Sequence, residues 1–136
     1  MKLLKRTLLI TAVLLLSACG KSAPNIENLP AVKEEAPVRM EAERHWTYSA
    51  SAETEDASLI QAVKEAIGSL KTGKESRQST DDYTDIISFV YADGTQSRYE
   101  FEADCWVAED GKRYEIEGDL SKVRTLIEPL FAKNNP

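Results

Sequence analysis

Any chemistry in this chain has to come from one histidine, two cysteines and a surplus of carboxylates. His45 stands beside Trp46 with no second histidine to complete a metal pair, and no GxSxG serine motif accompanies it. A structural or surface role therefore suits it better than catalysis. Carboxylates recur as Asp81-Asp82, Glu100, Glu102, Asp104, Glu109-Asp110, Glu115 and Glu117. Acid and base work needs two such groups with separated pKa values inside a cleft. Most of these alternate with apolar residues, the pattern of a solvated sheet face. Calcium needs oxygen ligands at fixed loop spacing, and DDYTD, with Asp81, Asp82 and Asp85, is the nearest approach. It lacks the glycine and closing glutamate of an EF-hand loop, so it is at most a weak cation site. There is no glycine-rich phosphate loop, CxxC or HExxH. We assign no catalytic, cofactor-binding or metal-ligating residue and expect no cofactor.

Cys19 has a different chemistry. Lys2, Lys5 and Arg6 precede the apolar run TLLITAVLLL, the layout of an export signal. The run breaks at Ser17, Cys19 and Gly20 and falls short of the roughly 20 apolar residues that a membrane-spanning helix needs. Leu16-Ser17-Ala18-Cys19 resembles the lipobox of bacterial lipoproteins. The resemblance covers residues 1–20 and implies cleavage after Ala18, with diacylglycerol on the Cys19 thiol. It implies anchorage on the extracytoplasmic face of the cell membrane, or on an outer membrane where the envelope has one. Two or more acyl chains turn marginal membrane binding into stable anchoring.

With Cys19 assigned to lipid, Cys105 has no intramolecular disulfide partner. An odd thiol in an exported chain pairs between molecules, reacts, or serves as a small buried hydrophobe. The last is favoured by a strand-like setting without neighbouring cations to activate the thiol. Charge narrows the partners further. Formal net charge is −6, and removing the three cations of residues 1–18 from the total of 17 leaves a balance of −9 against 23 carboxylates. Nucleic acid is excluded as a partner, since phosphate binding needs a basic surface. A protein or other cationic partner is compatible with this charge.

The elements that would position these residues follow from periodicity. Residues 19–42, the lipidated cysteine and a segment carrying Pro24, Pro30 and Pro37, read as a disordered tether. Residues 43–133 read as one small domain. HWTYSASA, from His45, alternates as a first strand with Trp46, Tyr48 and Ala50 on one face. Asp56 caps a helix whose apolar stripe is Leu59, Ile60, Val63, Ile67 and Leu70, with Gly73 as its stop. Residues 72–82 read as a loop. In IISFVYADGTQSRYEF, a three-residue Ala92-Asp93-Gly94 loop with Gly94 left-handed puts Ile87, Phe89 and Tyr91 on one face with Tyr99 and Phe101. In CWVAEDGKRYEI, parity buries either Cys105 and Val107 or Trp106, and the aromatic ring favours Trp106. That choice requires a strand irregularity at Ala103-Asp104. Asp119 caps a last helix with Leu120, Val123, Leu126, Ile127, Leu130 and Phe131 as its stripe, and Pro129 should kink or shorten its end.

The expected fold is α+β, with a mostly antiparallel sheet of about four strands in the order β-α-β-β-β-α and two helices on one face. Arg98, Glu100, Glu102, Arg113, Glu115 and Glu117 then form an outward, net acidic face, the expected seat of a cationic partner. YADGTQSRYEF and EDGKRYEI, with the helix before them, resemble over about 50 residues small uncharacterised lipoproteins of Gram-positive bacteria. That resemblance supports the fold and carries no known site; the lipobox, the proline-bearing tether and the absence of catalytic constellations point instead to a lipid-tethered binding or interaction module rather than an enzyme. The alternative is a proteinaceous inhibitor or immunity factor acting on an envelope or secreted enzyme, suggested by small size and acidity.

Overall fold

The computed structural model describes residues 29–77 and 83–133. Strands β1 (Arg39–His45) and β2 (Ser49–Thr54) lead into helix α1 (Ala57–Gly68). Then follow β3 (Lys71–Ser76), β4 (Thr84–Val90), β5 (Gln96–Glu102), β6 (Cys105–Val107), β7 (Arg113–Glu117) and helix α2 (Leu120–Ala132). The fold is α+β, and its antiparallel sheet has seven strands, ordered β2-β1-β4-β5-β6-β7-β3, rather than about four.

The extra strands come from segments with little apolar content of their own. RMEAERH forms β1, beginning inside the stretch that reads as tether, because Met40 and Ala42 face the core while their charged neighbours face out. The chain then reverses at Trp46-Thr47-Tyr48, where His45 pairs with Ser49, so HWTYSASA is a turn and β2 rather than one strand. KTGKES forms β3 by pairing with β7, although the sequence reads as loop from residue 72 onward. Helix α1 ends at Gly68, and Ser69 caps it. Gly73 instead lies in β3, where a Cβ would sit 3.2 Å from both the Cβ and the carbonyl oxygen of Glu115. The irregularity expected at Ala103-Asp104 is a complete reversal that separates β5 from β6, with Glu102 opposite Cys105.

The first Asp-Gly hairpin forms as parity predicts, and the second takes the alternative that buries Trp106. The Tyr91 N–H donates to the Thr95 carbonyl at 2.9 Å across Ala92-Asp93-Gly94, with Gly94 at φ +84°. Ala108 and Lys112 close the second loop in the same way, and Trp106 is buried opposite Tyr114. The carboxylate of Asp56 accepts from the Ser58 and Leu59 N–H groups, and that of Asp119 accepts from Lys122 N–H. Pro129 stands inside α2, which continues to Ala132. One core joins Ile60, Val63 and Ile67 of α1 and Val123, Ile127 and Phe131 of α2 to Met40, Ile87, Phe89, Tyr99, Phe101, Trp106 and Tyr114 of the sheet.

The approach to β1 is also packed. Leu29 and Val32 rest on the core. Leu29 N–H donates to Thr72 Oγ1 at 2.7 Å, and the Tyr99 hydroxyl donates to the Pro30 carbonyl at 3.1 Å. Lys64 Nζ donates to the carbonyls of Glu34 and Glu35, and Lys33 Nζ lies 4.6 Å from the centre of the Tyr91 ring. Residues 29–42 are therefore a strap and a strand, and the folded part begins well before residue 43. Cys19, the rest of residues 1–28, and Asp81 with Asp82 lie outside the described residues.

Candidate binding surface

At one end of the core, where β1 and β4 meet α2, a charged cluster is closed over. Arg44 and Asp85 are cross-strand partners, and Asp85 is 1 % exposed. Arg44 Nε donates to Asp85 Oδ1 at 2.7 Å and its Nη2 to Oδ2 at 3.3 Å, a two-pronged pair. Arg124, from α2, donates through Nε to the same Oδ2 at 3.3 Å and through Nη2 to the Ala103 carbonyl. Glu128 accepts from Arg44 Nη1 at 2.6 Å. The rings of Tyr83 and Phe131 lie against the guanidinium groups, 4.7 Å from Arg124 and 4.8 Å from Arg44 respectively. Burial alone would lower the pKa of Arg44, but the bonds to Asp85 and Glu128 outweigh it and hold the group above its ordinary value. Asp85, read above as part of a weak cation site, is thus an internal clasp whose oxygens already serve two arginines. Its partners lie 41 and 39 residues away in sequence, and nothing local announces them.

Beside this clasp the surface opens. The tip between β1 and β2 holds Trp46 63 % exposed and Tyr48 57 % exposed, with ring centroids 6.4 Å apart. Apart from Val38, these are the exposed large hydrophobic side chains among the described residues. His45 supports the tip, its Nε2 3.0 Å from Glu43 Oε2 and its Nδ1 3.0 Å from Ser49 Oγ. A cleft of about 410 Å³ runs from Tyr48 along Ser49, Ala50 and Ser51 to Arg44, Glu128, Phe131 and Ala132. A shallower hollow of about 340 Å³ lies on the other face of the same strand, lined by Glu41, Ala42, Glu43, Ser51, Ala52 and Glu53. Sequence reading put Trp46 and Tyr48 with Ala50 on one face of a first strand, whereas they stand at the turn between β1 and β2. The signal it passed over is the even spacing of Met40 and Ala42, which face the core from β1.

The outer face of the sheet carries Arg98, Glu100, Glu102, Arg113, Glu115 and Glu117 opposite the buried Tyr99, Phe101 and Tyr114. Strands β1 and β2 extend it with Glu41, Glu43 and Glu53. Arg113 donates to Glu102 at 2.9 Å, and this bond, against the opposing pull of burial, raises its pKa. Arg98 donates to Glu100 at 3.1 Å. Cys105 belongs to this face, half-buried and opposite Glu102 and Glu115, rather than to the core. Turning Trp106 inward necessarily turns its neighbour outward. Among the described residues no helix is long and apolar enough to cross a membrane.

Comparison with protein-family models, curated proteins and solved structures finds no match for this chain.

Proposed function

We propose that this chain is a lipid-anchored, extracytoplasmic binding module without catalytic activity, tethered through Cys19 and presenting its β1–β2 tip to a partner. The carrying observation is the exposure of Trp46 and Tyr48 together beside a cleft. Tryptophan and tyrosine are the side chains most often found at the energetic centre of protein interfaces. Leaving both in water has a free-energy cost that contact with a partner removes. The chain from Cys19 to Leu29 reaches at most roughly 35 Å when fully extended, which bounds how far Leu29 stands from the membrane that holds it.

Replacing Trp46 and Tyr48 together by alanine should leave the melting transition in place, because neither ring is part of the core. Recovery of the partner from cross-linked cells should fall by about tenfold or more. Unchanged recovery would remove the tip from the account. The inhibitor or immunity alternative is favoured by the same two aromatics, and stoichiometry separates the two. An inhibitor recovers one enzyme in equal amount, whereas an envelope module does not. At the anchor, Cys19→Ser should abolish lipidation and leave the precursor uncleaved. Normal processing and membrane retention of that variant would contradict the lipoprotein reading.

A further inference from the structure

The sheet has two edges, and they are treated differently. The β3 edge carries Lys71 and Lys74, its register slips between Thr72 and Glu75, and Thr72 is tied to the Leu29 N–H. Charged lysines and irregular register are the devices by which proteins discourage pairing at a sheet edge. The β2 edge has none of them. It pairs with β1 without a bulge from Met40 opposite Thr54 to His45 opposite Ser49. Its sequence, SASAET, holds neither lysine nor proline. Hollows lie along both of its faces.

We infer that β2 accepts an added strand from a partner, an extended segment in which basic and apolar residues alternate. Successive side chains of an added strand point to opposite faces. One set would lie over Glu41, Glu43 and Glu53, where Arg39 is shared between Glu41 at 2.9 Å and Glu53 at 3.9 Å, leaving negative charge in excess. That side selects lysine or arginine. The other set would enter the cleft against Tyr48, Phe131 and Ala132, which selects apolar or aromatic residues. A second copy of this chain is the wrong occupant, because SASAET offers no basic residue to lie over Glu41, Glu43 and Glu53. The inference rests on the binding-module reading and adds the chemistry of the partner.

The test is titration of the full lipidated chain in detergent with a capped eight-residue peptide alternating lysine and valine, followed by tryptophan fluorescence. Two isomers of the peptide, N-methylated on every lysine amide or on every valine amide, are titrated beside it. A strand added at one edge uses amides of one parity only, so one isomer should lose about tenfold or more in affinity and the other should bind as the parent does. A peptide alternating glutamate and valine should not bind. Glu41→Gln with Glu53→Gln, checked for an unchanged melting transition, should weaken the lysine peptide by about tenfold and reduce its salt dependence. Equal behaviour of the two methylated isomers, or absence of saturable binding by the parent, would overturn the inference. Concentration-dependent dimerisation abolished by Ala52→Lys would overturn it in favour of a second copy. Failure of the peptide while Trp46 and Tyr48 still govern partner recovery would sink strand addition alone and leave the module reading standing.

Discussion

Asp85 meets two guanidinium groups in a nearly water-free site, so its charge is tolerable only while both stay in place. Removing one side of a buried ion pair leaves the other uncompensated, which costs about 3–5 kcal/mol. Asp85→Asn should therefore lower the urea midpoint by that much stability. Arg124→Met should cost less, because the two-pronged Arg44 bond survives it. Tyr99 makes a second prediction. Burial, with the neighbouring Tyr91 adding to it, pushes its phenol up to about 12, above an ordinary value of about 10. A group whose folded pKa is raised contributes stability in full below its unfolded pKa and loses it as pH rises through the folded value. Stability should thus fall between about pH 10 and pH 12, as the phenolate can no longer donate to the Pro30 carbonyl. Tyr99→Phe should flatten that part of the pH profile in circular dichroism. A profile unchanged by the substitution would remove Tyr99 as its source.

Hairpins show how much an element's own sequence can specify. Gly94 sits at φ +84° with nothing within 4 Å of where a Cβ would be, so Gly94→Ala tests backbone conformation alone. It should cost about 1–2 kcal/mol by chemical denaturation, whereas Gly68→Ala, on a helix with equal space, should stabilise or be neutral. The gain from burying an aromatic ring placed Trp106 inward where parity left a choice, and the aspartate caps placed both helices, because in each case the decisive contacts are local. Strands β1 and β3 were illegible for the opposite reason. RMEAERH and KTGKES hold few apolar residues, and their strand state depends on partners β4 and β7 much further along the chain. Ala103 turns the chain at φ +49° without a glycine, so no residue type marks that reversal. The Arg44-Asp85-Arg124 clasp was hidden for the same reason as β1, since it exists only once β1, β4 and α2 have met.

At the scale of the whole molecule, charge and apolar surface are separated. The outer sheet face is acidic, while the exposed aromatics gather at the β1–β2 end. The acidic face is not uniform, however. Glu115 and Glu117 are exposed, and reversing both to lysine should change stability by no more than about 0.5 kcal/mol. Glu102 is half-buried and bonded to Arg113, so Glu102→Lys should cost about 1–3 kcal/mol through a like-charge contact; an unchanged melting transition would contradict the pairing. The claim that partners arrive at the β2 end can be put to one measurement. A photo-crosslinking amino acid is introduced in place of Tyr48, or in place of Lys74 on the opposite edge, in the otherwise intact chain in living cells. The account predicts a discrete cross-linked adduct from position 48, none from position 74, and loss of the first when Cys19→Ser abolishes lipidation and processing. Equal adducts from both positions, or an adduct from position 74 alone, would contradict it.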